Sequence, residues 1–175
     1  MIKNIGIIGA GSVGSALISE IFKQEPQNLY VLATGDRSER LRNNGINVNG
    51  ETYFPQIYSD RNQDVHIDLL IVAVKTYSLY DVMEDFADLI DKDTVILPIQ
   101  NGIVTTDIIR KRFPENRVLY GIVLRTDAHR MGRRVYFTNI VTSGKMASRM
   151  PLVIRVYTSS TLSSSVTFPS LSIPM

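Results

Sequence analysis

Three glycines, Gly9, Gly11 and Gly14, stand at the spacing G-x-G-x-x-G within the stretch NIGIIGAGSVGSALI. The first permits a tight turn out of a strand. The second lets a pyrophosphate approach the backbone, and the third lets a helix pack closely on a sheet. Ala10, Ser12 and Val13 fill the intervening positions. Free N–H groups and the dipole of a helix opening near Ser12 favour an anion there. The chemistry this spacing points to is dinucleotide binding. The required context is present, because an apolar strand run precedes the glycines and a helical pattern comes after them. The bland alternative is a glycine turn that serves structure alone.

Three other places offer polar side chains just after apolar runs. In TGDRSER, Asp36 suits a ribose hydroxyl, as in NAD enzymes, whereas Arg37 and Arg40 suit the 2′-phosphate of NADP. These residues leave NADP and NAD both open, and a solvated mixed-charge loop is the structural alternative. Lys75 directly succeeds LLIVAV, the end of the most continuous apolar run. It could hold a substrate carboxylate, touch the cofactor ribose or polarise a carbonyl; a lysine snorkelling from a strand end is the alternative. Asn101 closes ILPIQN and precedes Gly102, a pair that also reads as a plain turn.

The apolar pattern supplies the scaffold for these residues. KNIGIIG reads as a buried strand, residues 12–23 as a helix, and residues 29–33 as a second strand. SERLRNN reads as a short helix stopped by Gly45. Asn49-Gly50 lies between alternating residues and predicts a hairpin-like excursion over INVNGETYFPQIYS. Residues 67–74 fit a parallel strand covered on both faces, and 78–91 fit a helix. Residues 94–99 form another strand, with Pro98 at its end because it cannot donate to a ladder. Residues 105–113 read as a helix, and RVLYGIVLR and RRVYFTN as the last strands. This alternation predicts an α/β, doubly wound, mostly parallel sheet with helices on both faces. Right-handed crossovers place the strand C-termini along one edge, where ligands bind. The glycine loop, Asp36 with Arg37, Lys75 and Asn101 are all expected at that edge.

Composition narrows the function classes. With 175 residues and 44% apolar content, the chain can fold around a sizeable core. It has no cysteine, so disulfides and thiolate chemistry are excluded. Its only histidines are His66 and His129, which argues against a multi-histidine metal site, and no metal is expected. Residues 1–140 carry 16 Lys and Arg against 17 Asp and Glu, so the net charge of +2 comes from the tail. Nothing points to a nucleic-acid partner. No apolar run is long enough to span a membrane, and the N-terminus does not read as a signal peptide; a cytoplasmic address is expected.

Residues 141–175 break with the body. They are rich in Ser and Thr, lack acids and show no clear period. They read as a poorly ordered tail, and the break suggests a coding sequence ended early by truncation or frameshift.

IGIIGAGSVGSAL, LLIVAVKTYSLYDVMEDF, VILPIQNGI and VLYGIV together resemble the N-terminal, Rossmann-like half of the ketopantoate reductases, or 2-dehydropantoate 2-reductases. The resemblance covers residues 2–140. It implies NADPH-dependent reduction of 2-dehydropantoate, a 2-keto acid, to pantoate on the way to pantothenate and coenzyme A. It implies that Gly9, Gly11 and Gly14 hold the pyrophosphate, and that Lys75 and Asn101 lie near the nicotinamide and its ribose. Many members carry an arginine immediately after the second strand; here that position is Thr34, which leaves Arg37 as its substitute. The family's general-acid lysine, and the serine and glutamate that bind substrate, belong to a helical C-terminal domain not found in this sequence. The expectation is cofactor binding with little turnover by this chain alone, and an uncovered apolar patch favouring self-association. A non-catalytic dinucleotide module and a reductase of another 2-keto acid are the alternatives.

Overall fold

The computed structural model describes residues 2–59, 65–100, 103–124, 126–139, 153–158 and 161–167. Five short strands build the central sheet: β1 (Ile5–Ile8), β2 (Leu29–Leu32), β5 (Gln56–Tyr58), β6 (Leu69–Val72) and β7 (Val95–Pro98). All pair in parallel, in the order β5-β2-β1-β6-β7. Residues 117–119 continue it beyond β7: the Ile96 amide donates to the Arg117 carbonyl, and the Leu119 amide to the Ile96 carbonyl. Pro98 is the last residue of β7, as its missing N–H requires.

Alternate residues of the sheet feed two cores. Ile5, Ile7, Leu69 and Ile71 face helix α1 (Ser12–Phe22), which buries Ala16, Leu17, Ile18 and Ile21. Ile8, Leu70, Val72 and Ile96 pack on the other side with Leu79, Met83 and Phe86 of α3 (Leu79–Phe86) and with Ile109 of α4 (Ile103–Arg112). Helices therefore cover both faces, the doubly wound α/β arrangement that the sequence pattern predicts. The stretch expected as one helix over 78–91 is instead α3 flanked by 3-10 turns at Thr76–Ser78 and Ala87–Leu89.

A second sheet lies over α1. Its order is β4-β3-β10-β9, from β3 (Ile46–Val48), β4 (Glu51–Tyr53), β9 (Thr126–Met131) and β10 (Arg134–Asn139). Ile46, Val48, Val135 and Phe137 join the same core as α1, so that helix is covered on two sides. The Asn49-Gly50 turn joins β3 to β4 with both residues at positive φ, 53° and 88°, the backbone that Asn-Gly accommodates. The predicted excursion is a hairpin only as far as Tyr53; its end, β5, joins the central sheet. Strand β9, which the apolar pattern does not announce, pairs with β10 across a turn at Gly132 and Arg133. Helix α2 (Gly35–Asn44) precedes β3 and stops at Gly45, φ 63°, as predicted.

Strand β8 (Tyr120–Leu124) pairs antiparallel with β11 (Val153–Thr158), which pairs with β12 (Thr161–Thr167). The rest of 141–175 lies outside the described residues, as does Asn101.

Candidate functional site

Strand register gathers the site. Ile8 aligns with Leu32 and Val72, and Val72 aligns with Pro98. Gly9, Ala33, Ala73 and Ile99 therefore leave the sheet side by side along its C-terminal edge.

At that edge the three glycines differ in what the fold asks of them. Gly9 sits at φ +102°, and a Cβ there would fall 2.8 Å from the Ala73 backbone. A Cβ on Gly14 would fall 1.8 Å from the Gly9 carbonyl oxygen, so only glycine lets α1 lie this close to the strand end. Gly11 has an ordinary φ of −78°, and a Cβ on it would project into open space. Nothing in the fold therefore requires glycine at this position. The Gly11 carbonyl accepts the first helical bond, from the Ser15 amide at 2.9 Å. The amides of Ser12, Val13 and Gly14 precede that bond and have no intrahelical acceptor. The first turn holds no acidic residue and no side-chain cap. These residues fit a pyrophosphate: free donors, a favourable dipole and a clear approach.

Lys75 lies three residues beyond β6 and is exposed, with no hydrogen bond or ion pair from its side chain among the described residues. The Gln100 amide group donates to the Val74 carbonyl at 2.7 Å, tying the segment after β7 to the Lys75 segment. The other end of Gln100, Oε1, is buried with no hydrogen-bond partner among the described residues. The structure thus brings the glycine loop and the Lys75 segment to one edge.

Beside Ala10 opens a cleft of about 380 Å³. Its charged lining is Arg37 and Arg40 from α2 and Arg130 and Arg133 from the β9–β10 hairpin; among the described residues no Asp or Glu lines it. Arg130 donates to the Ala10 carbonyl at 2.6 Å, and Arg133 to the Asn44 side chain at 3.2 Å. Burial and the neighbouring charges of Arg130 and Arg40 push the Arg37 guanidinium below its usual pKa. Asp36, the candidate ribose ligand, does not line this cleft. Arg130 and Arg133 escaped sequence reasoning because more than ninety positions separate them from Arg37. The basic run HRMGRR around a turn glycine is the signal that could have marked them.

A mostly parallel sheet with helices on both faces and a glycine-lined helix start at its C-terminal edge defines the Rossmann-like, doubly wound α/β class. Residues 5–146 match the family model described as ketopantoate reductase PanE/ApbA, and the chain belongs to that family. The 2-dehydropantoate 2-reductase of Streptococcus pyogenes is 28% identical over 123 residues, 69% of this chain and 40% of the relative. The uncharacterized oxidoreductase YkpB of Bacillus subtilis is 28% identical over 120 residues, 66% of this chain and 39% of that protein. The chain thus spans about 40% of the length of the curated relatives it matches. A structure of D-mandelate dehydrogenase with NADH and anilino(oxo)acetate aligns with TM-score 0.66 and 25% identity, covering 77% of this chain and 45% of that one. The 2-dehydropantoate 2-reductase of Methylococcus capsulatus shares the fold, at TM-score 0.64 and 22% identity over 77% of this chain and 45% of its own. Among the described residues no helix is long and apolar enough to cross a membrane.

Proposed function

We propose that residues 1–140 are the cofactor-binding unit of a cytoplasmic, NADPH-dependent 2-dehydropantoate 2-reductase, and that residues 141–175 stand where the family places its helical domain. The observation that carries the reading is the continuity of the Gly9–Gly14 loop with the arginine cleft. In this reading Gly9, Ala10, Gly11, Ser12, Val13 and Gly14 hold the pyrophosphate. Arg37 meets the 2′-phosphate. Lys75 and Asn101 serve the nicotinamide ribose or the substrate carboxylate.

When bound, the cofactor supplies a hydride to the ketone carbon of the 2-keto acid. The chain's part is placement: the loop amides fix the phosphates, and the segment after β6 carries Lys75 to the edge where the reacting end would lie. A general acid must protonate the forming alkoxide, typically worth about 10²–10⁴-fold. In the family that acid belongs to the helical domain, so residues 1–140 by themselves bind cofactor with only slight turnover. Mixing the purified chain with NADPH and 2-dehydropantoate and monitoring nicotinamide absorbance tests this. Binding of NADPH, with turnover slight and lost in Lys75→Ala, supports it; failure to bind either NADPH or NADH defeats it. The likeness to D-mandelate dehydrogenase favours a second reading, reduction of another 2-keto acid with NADH, which predicts tighter NADH than NADPH binding. Binding of either cofactor with no turnover would leave a dinucleotide module.

A further inference from the structure

We infer that Arg130 and Arg133, delivered by the β9–β10 hairpin, complete a phosphomonoester receptor with Arg37 and Arg40, and that these two hairpin residues set the preference for the 2′-phosphate of NADP(H). The inference rests on the dinucleotide reading of the glycine loop.

Four guanidinium groups line one cleft, and none pairs with a carboxylate among the described residues. Like charges gathered this way repel, and the lowered Arg37 pKa reflects burial together with that crowding. An anion of two negative charges is the partner that relieves it, and planar guanidinium forks match phosphate oxygens. A ribose diol calls for an acid instead, and the cleft has none among the described residues.

The cleft also has the right neighbour. Ala10 lies in its wall and between the first two glycines. A phosphate in the cleft is therefore next to the amides that receive the pyrophosphate, as expected for two phosphate groups of one dinucleotide. Arg130 joins the two places physically. One of its N–H groups holds the Ala10 carbonyl at 2.6 Å, and its remaining donors are available to the cleft. Because the peptide is planar and trans, fixing that carbonyl also fixes the Gly11 N–H on the opposite side. Arg130 is thus a positioning residue for the loop as well as a ligand. Arg133 is held by Asn44 rather than by the loop, so it reports on the cleft alone.

The test measures NADPH and NADH affinity by nicotinamide fluorescence, and 2′-AMP, 5′-AMP and inorganic phosphate affinity by calorimetry. The full chain is used as wild type, Arg130→Ala, Arg130→Lys and Arg133→Ala. Each alanine variant should weaken NADPH about tenfold more than NADH, and weaken 2′-AMP in parallel, as expected for loss of a charge-assisted contact. Arg130→Lys should keep part of the preference. Wild type should bind 2′-AMP more tightly than 5′-AMP or phosphate. Equal loss of NADPH and NADH in both alanine variants overturns the inference and leaves the dinucleotide reading standing. So does 2′-AMP binding no tighter than phosphate. Tight 2′-AMP binding with no affinity for either dinucleotide overturns the dinucleotide reading, and the NADP(H) preference with it. Circular dichroism identifies a variant that fails to fold, and Arg133→Ala then carries the comparison.

Discussion

Gly14 lies so close to Gly9 that a methyl group on it would sit 1.8 Å from the Gly9 carbonyl oxygen. The obstructing atom is backbone, so nothing but movement of α1 away from β1 can relieve the clash. Gly14→Ala should cost about 1–3 kcal/mol or more, lowering Tm by about 3–10 °C. A thermal melt unchanged from wild type would contradict the close packing.

Gly11→Ala should behave in the opposite way. Its Cβ meets nothing within 4 Å and its φ is ordinary, so Tm should stay within about 2 °C of wild type. Dinucleotide affinity should fall by at least about tenfold, because the methyl group occupies the approach to the helix amides. Equal cofactor affinity in fluorescence titrations would remove the phosphate from this place.

Asn49 couples the second sheet through three hydrogen bonds. Its amide donates to the Val135 carbonyl, its side-chain nitrogen donates to the Phe137 carbonyl, and its Oδ1 accepts from the Phe137 amide. It also sits at φ 53°. Asn49→Gly keeps the backbone angle and loses the side-chain bonds, at about 1–2 kcal/mol. Asn49→Ala adds about 1 kcal/mol of left-handed strain. Urea unfolding should rank wild type above glycine above alanine; alanine equal to glycine would argue against strain at this turn.

Glu84 and Arg112 join α3 to α4 through two contacts, at 2.7 and 3.2 Å. The Arg112 hydrogen bond holds the Glu84 carboxyl below its ordinary value of 4.5. A carboxyl depressed in the folded state stabilises above its unfolded pKa, and the contribution disappears as pH falls through the folded one. The pair is solvent-exposed, so the effect is small. Arg112→Ala should melt slightly below wild type near about pH 7, and the gap should close by about pH 3 as the carboxylate protonates. A gap that persists into acid would mean the loss comes from Arg112 packing on Phe113.

The central sheet was readable because its strands are continuous apolar runs and its turns use residues with one purpose. Asn49-Gly50, Gly45 and Pro98 each fall where their backbone chemistry puts them. The elements that escaped have an equally physical cause. Strand β9 reads TDAHRM: it is short of apolar residues because it is the edge strand of its sheet, with Asp127, His129, Arg130 and Met131 exposed. Strand β5 is three residues long and comes right after Pro55, so its pattern merged with the hairpin before it. Within the candidate site, the glycine loop was legible because its residues are contiguous. The arginine cleft was not, since only the folded chain brings residues 130 and 133 against residue 37.

Strand β10 pairs in parallel with β3, joining residues 134–135 to residues 47–48. As the polypeptide emerges from a ribosome, β1, α1 and β2 can assemble early, yet the outer side of α1 is covered only by β3 and Tyr53 until residues 126–139 have been synthesised. The packing of α1 is therefore completed late in translation, and a nascent chain stalled before that hairpin would display a sticky flank to chaperones.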